Sequence, residues 1–185
     1  MSQLNEQFLA FQKRVSGTNI NSETLLATDY LNHLNEPLML LEMLPDMPEL
    51  ISELEMWRPK TYVEHFQASS FTDKDLAIEA YKWVPKEFLL AFEHTVKLAN
   101  LCVSETIVAV REPIGNEQQA EIRAAVSNGL TALNHLVNRA NAIIHGQEYV
   151  LEQSQIDEIM GDASFSDGSA DKGTSTYRPK GSLAN

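Results

Sequence analysis

The sequence predicts an all-α protein: a helical bundle with two to three long helices, short helices in its middle third and a disordered C-terminal tail. Three observations carry this. Apolar residues recur every three or four positions through residues 26–41, 88–110 and 122–144, the period of helices with one buried face. No segment alternates apolar with polar residues in a run rich in Val, Ile and Thr, as a half-exposed strand requires. The chain has 185 residues, 43% of them hydrophobic, enough for one sizeable core.

Each element has its own signals. The first helix is expected over residues 3–15, with Ser2 as N-cap and Gly17 as its stop. The second opens at Ser22 with Glu23 in its positive first turn and carries Leu26, Tyr30, Leu34, Leu38 and Leu41. Pro37 inside it should kink or split it, because proline lacks an N–H and crowds the preceding turn. Residues 44–49 read as a break and a restart, with Asp46 capping and Glu49 three residues on. That short helix ends near Trp57, since Arg58 precedes Pro59. One short helix is expected around residues 62–67, and Thr72 caps another over 73–84. Pro85 opens a long helix to about Arg111 with the stripe Phe88, Phe92, Val96, Ala99, Val103 and Val110. After a loop at Pro113, Ile114 and Gly115, a last long helix runs over about 116–145. Its stripe is Ile122, Val126, Leu130, Leu133, Val137, Ala140 and Ile144, and Gly146 is a suitable C′ residue. The domain reading is a bundle over 1–147, an amphipathic peptide helix over 148–161 and a tail over 162–185. That tail is rich in Ser, Gly, Asp and Lys and buries too little to offset its ordering entropy.

Charge narrows the partners. A formal net charge of −12 disfavours nucleic acid and anionic membrane surfaces, both of which select clustered Lys and Arg. No apolar run approaches the roughly 20 residues of a membrane span. Cys102 is the only cysteine, which suits a reducing compartment, and no secretory signal opens the chain; a cytoplasmic location is expected. No cofactor is expected: the sequence holds no Gly-rich phosphate loop, nucleophile elbow or zinc-type spacing.

Two segments carry functional signals. Residues 150–162 read Val-Leu-Glu-Gln-Ser-Gln-Ile-Asp-Glu-Ile-Met-Gly-Asp, an amphipathic helix with Ile156, Ile159 and Met160 on one face. A helix this short is marginal alone in water and folds fully only when docked. It either packs on its own bundle or lies in a partner's groove. The segment resembles the response-regulator-binding peptide of FliM-type flagellar switch proteins and CheZ-type chemotaxis phosphatases. The matching positions are Leu151, Gln153, Ile156, Asp157, Ile159 and Met160. The resemblance implies a CheY-like receiver domain as partner, with Ile156 and Ile159 as apolar anchors and Asp157 as a polar contact. The match departs where the family has Ser-Gln and this chain has Glu152-Gln153.

The second segment, His94-Thr95-Val96-Lys97-Leu98-Ala99, resembles the phosphorylation motif of histidine phosphotransfer domains, His-Thr-Leu-Lys-Gly-Ala. The resemblance implies a phosphoryl-accepting imidazole at His94 with the Lys97 cation close by. Leu98 replaces the family's glycine and would obstruct an incoming regulator. His94 also falls in a second stripe with Leu90, Leu98 and Leu101, which reads as helix–helix contact.

Three other groups could carry chemistry. Asp29, His33 and Glu36 share a helical face and could ligate a divalent metal if Glu64, His65, Glu93 or His94 faced them; a solvated polar face is the simpler reading. Asn134, Asn138, Asn141 and His145 line one face of the last helix. An amide such as Asn138 could orient a water for aspartyl-phosphate hydrolysis, against the simpler reading of a polar helix face. Trp57, Tyr62, His65, Phe66, Phe71, Tyr81 and Trp83 make the middle third aromatic, as core with a lid or as a binding groove. The resulting expectation is a non-enzymatic adaptor or signalling protein of chemotaxis or motility. Its alternatives are an enzyme of two-component signalling, a metal-binding bundle, and a structural subunit forming a homo-oligomer.

Overall fold

A computed structural model describes the backbone of residues 3–147 and the side chains of residues 6–147. The peptide of Leu151, Gln153, Ile156, Asp157, Ile159 and Met160, and the tail beyond it, lie outside the described residues. Among those described, seven α-helices and two 3₁₀ turns follow one another, and no strand occurs. The helices are α1 (Gln3–Arg14), α2 (Leu31–Met43), α3 (Ile51–Met56), α4 (Tyr62–Ala68), α5 (Lys74–Tyr81), α6 (Lys86–Gly115) and α7 (Gln119–Ile144). The all-α class is what the periodicity predicts.

The two long helices form the scaffold. They pack as an antiparallel hairpin, with α2 laid on α7 and α3 on α6. The core they enclose joins Leu34, Leu41, Leu44 and Leu54 to Ala99, Val103 and Val110 of α6 and Ile122, Val126 and Leu133 of α7. Most of the two predicted stripes is therefore buried, while Phe88, Leu130 and Val137 are only half-buried. No described helix is long and apolar enough to cross a membrane.

Gly129 sets how close the long helices come. A Cβ there would overlap Thr106 Oγ1 and stand 2.6 Å from its Cγ2. The Thr106 hydroxyl is held back on its own helix by donating to the Cys102 carbonyl at 2.7 Å. A mid-helix glycine ordinarily costs about 1 kcal/mol relative to alanine. Here Gly129→Ala is nevertheless expected to destabilise by about 1–2 kcal/mol, because overpacking at the crossing outweighs helix propensity. Thr106→Ala should recover most of that loss in the double variant. Urea denaturation of the four-member cycle checks this, and additive effects would rule the contact out.

Several boundaries differ from expectation. The second helix does not begin at Ser22. Instead the Asn21 side chain accepts the Glu23 and Thr24 amides at 2.8 and 3.0 Å, and the Asn21 backbone exchanges hydrogen bonds with Leu25 and Leu26. This tight turn places Leu25 at φ 61°, and Ile20 bridges Ala27 antiparallel. Local side-chain bonding by Asn competes with helix, and here it wins. The turn is anchored across the fold, since the Thr24 hydroxyl donates to the Ile144 carbonyl at the end of α7 at 2.7 Å. Helix α2 then starts at Leu31, after a 3₁₀ turn over Thr28–Tyr30.

Pro37 does not split α2. Having no N–H, it leaves the His33 carbonyl without its intrahelical donor. The Trp57 indole Nε1 donates to that carbonyl at 3.3 Å, so a tertiary contact replaces the missing bond. Helix α6 likewise continues through Pro113 to Gly115, and the reversal falls at residues 116–118, with Glu117 at φ 55°. Helix α4 is held by a capping box, in which Thr61 accepts the Glu64 amide and Glu64 accepts the Thr61 amide.

Candidate functional site

The middle-third aromatics pack into one nest between α2, α4, α5 and α6. Tyr30 stacks on Tyr62, with centroids 5.6 Å apart, and Tyr62 on Tyr81 at 4.3 Å. Phe92 of α6 meets Tyr30 edge-on at 5.3 Å. Each hydroxyl has a partner: Tyr30 donates to the Lys60 carbonyl at 2.7 Å, Tyr62 accepts the Ala27 amide at 2.8 Å, and Tyr81 donates to Glu93 at 2.8 Å. Burial raises the pKa of all three phenols, assisted by Glu64 at Tyr30, Asp29 at Tyr62 and Glu93 at Tyr81.

Beside the nest, His33 pins the irregular segment over residues 57–61, and His65 holds the 3₁₀ turn at Asp29. The His33 Nε2 accepts the Lys60 amide at 3.0 Å, which puts the imidazole proton on Nδ1. His33 is only 3% exposed and lies against the Trp57 ring, with centroids 5.0 Å apart. Burial, then the neighbouring His65 and the Lys60 ammonium, lower its pKa from 6.5 to about 4. His65 donates from Nε2 to the Asp29 carbonyl at 3.2 Å, and burial lowers its pKa too.

Against this floor lies a hollow of about 420 Å³, within the range of ligand sites. Tyr30, Tyr62, Tyr81 and Phe92 form its base, and Val96 and Leu101 extend it along α6. Lys60 and Glu64 stand on one lip, Glu93 and Lys97 on the other. Asn100 contributes a buried carboxamide oxygen with no hydrogen-bond partner among the described residues, an acceptor of the kind native interiors rarely leave unmet.

The metal candidates do not form a site. Asp29 lies in the 3₁₀ turn and accepts from Asn19 at 3.3 Å; His33 is turned inward with Nε2 occupied; Glu36 is exposed. Among the described residues, no three His, Cys, Asp or Glu side chains converge to hold a metal ion. Their shared helical face is lost because the chain enters α2 only at Leu31. His94 and Leu98 are half-buried on α6, with Lys97 exposed between them. Asn134, Asn138, Asn141 and His145 face solvent along α7. Of the aromatic segment, Tyr62, His65, Phe66, Phe71 and Tyr81 join the nest, whereas Trp83 stacks on Phe11 of α1 at 6.4 Å.

Sequence reasoning passed over Lys60 and Asn100, which are single polar residues without a spacing signal. Leu101 was noticed only as part of a second apolar stripe, and the structure leaves it exposed. No protein-family model, no curated protein and no solved structure matches this chain.

Proposed function

We propose that this chain is a non-enzymatic helical adaptor: its bundle binds one partner through the α6 face, and its C-terminal peptide binds a response-regulator receiver. The observation that supports binding over catalysis is the preformed hollow with its floor of buried aromatic rings. Burial pushes His33 down to about 4 and the three tyrosines up, so none of these four groups changes charge near pH 7.

The receiver half of the reading is supported by the peptide resemblance alone. An acidic sequence with Ile156, Ile159 and Met160 at helical spacing is suited to helix-in-groove recognition, and its covalent link to the bundle raises its concentration near whatever the bundle holds. Binding of the full chain to a CheY-like receiver, measured with and without beryllofluoride, tests it. Tighter binding to the activated receiver is expected, weakened at least tenfold by Ile156→Ala. No binding, or binding indifferent to that substitution, ends the receiver half. If the chain instead speeds receiver dephosphorylation and Asn138→Ala stops it, a phosphatase replaces the adaptor.

A further inference from the structure

A second hollow, of about 230 Å³, adjoins the first and is lined by Leu54, Trp57, Arg58, Val108 and Arg111 among others. Both hollows touch Pro59 and Ser104, so they form one groove between α6 and the 54–61 segment. From Phe92 to Arg111 of α6 the groove runs roughly 28 Å at 1.5 Å per residue, longer than a small ligand and comparable with a helix of about 19 residues. The α6 linings of the two hollows are centred roughly 15 Å apart, the spacing of anchors two to three turns apart on a second helix. Leu101 and Val108, seven residues apart on one face, stand in the groove 48% and 62% exposed.

Charge says what kind of helix. Arg58, Lys60, Lys97 and Arg111 line the groove, four of the 14 Lys and Arg in a chain with 26 Asp and Glu. Of the three carboxylates that also line it, only Glu55 is neutralised by an ion pair; Glu64 and Glu93 accept from neutral donors and keep their charge. Glu55 pairs with Arg111 at 2.7 Å, Glu64 accepts the Thr61 amide at 2.8 Å, and Glu93 accepts the Tyr81 hydroxyl. Lys60 and Lys97 form no ion pair among the described residues. In a chain of formal net charge −12 the groove thus presents an apolar trough lined by four cations against three carboxylates, a local excess of positive charge.

We infer that this groove receives an acidic amphipathic helix of a partner protein, its apolar side chains entering the two hollows and its carboxylates meeting Lys60 and Lys97. This deepens the adaptor reading and rests on it for the role of the α6 face only.

The probe is a fluorescein-labelled 18-residue peptide with leucines at i, i+4, i+7 and i+11, and glutamate, alanine and glutamine elsewhere. Its counterpart carries lysine for glutamate. The full chain is expected to bind the acidic peptide at least tenfold more tightly than the basic one, less so as salt is raised. Leu101→Asp with Val108→Asp, and Lys60→Glu with Lys97→Glu, should each weaken binding at least tenfold. All four residues are exposed, and circular dichroism verifies that the variants fold. Equal binding of both peptides, or variants that bind like the parent, would overturn the inference. So would a dimer in sedimentation that Leu101→Asp dissolves, which assigns the face to a second copy. Tight binding of anilinonaphthalene sulfonate without peptide binding would overturn it in favour of a small anionic ligand. Receiver binding is measured separately with Ile156→Ala, so the groove and the C-terminal peptide can fail independently.

Discussion

Trp57→Phe is expected to cost about 1–2 kcal/mol of stability, and Trp57→Ala about 3 kcal/mol. The indole does two things at once. Its ring covers the His33 imidazole at an interplanar angle of 17°, and its Nε1 donates to the carbonyl that Pro37 leaves without a partner. Phenylalanine keeps the first and loses the second, so its cost isolates an unmet carbonyl inside α2. The compensation can be tested in a Pro37→Ala background. Alanine supplies the N–H that proline lacks, the helix satisfies the His33 carbonyl itself, and the cost of Trp57→Phe should fall below about 0.5 kcal/mol. Urea denaturation of the four proteins measures this. An equal cost in both backgrounds would mean that the indole hydrogen bond does not stand in for the missing amide.

The second large effect is on acid stability. His33 is held neutral in the folded protein, with its pKa lowered to about 4. The unfolded chain takes up a proton there near the ordinary 6.5. Between these values the unfolded state binds more protons, so stability falls as pH falls. The contribution is fully present above about pH 6.5 and is gone by about pH 4. The difference corresponds to about 3 kcal/mol, and His65 adds in the same direction. Protonation would also put a hydrogen on the nitrogen that accepts the Lys60 amide, releasing the segment that walls the groove. His33→Gln keeps an acceptor within reach and removes the titration. Its stability should therefore change by no more than half as much as the parent's between pH 7 and pH 4.5 in urea unfolding. An unchanged pH slope would place the acid sensitivity elsewhere.

The two long helices were legible because their apolar positions repeat over 20 residues or more, which averages out single exceptions. The short elements were not. Ser22 and Glu23 look like a helix start, but the Asn21 carboxamide one residue earlier captures the amides that the start would have used. Pro37 looks like a break, and nothing within α2 contradicts that; the donor that rescues it lies 20 residues further along the chain. For the candidate site, the aromatic residues were visible as a group but not as a floor. The groove needs α6 and the 57–61 segment side by side, and that segment is held in part by His33, which the sequence presented as a possible metal ligand.

Composition and periodicity alone therefore determined the helical class, the two core stripes and the acidic character, because each is a sum over many residues. The tertiary structure decided which single polar groups matter. Whether His33, Trp57, Asn100 or Lys97 is a core partner, a latch or a groove residue depends on one neighbour distant in sequence. A buried donor or acceptor is satisfied or orphaned by that neighbour, and local pattern carries no record of it.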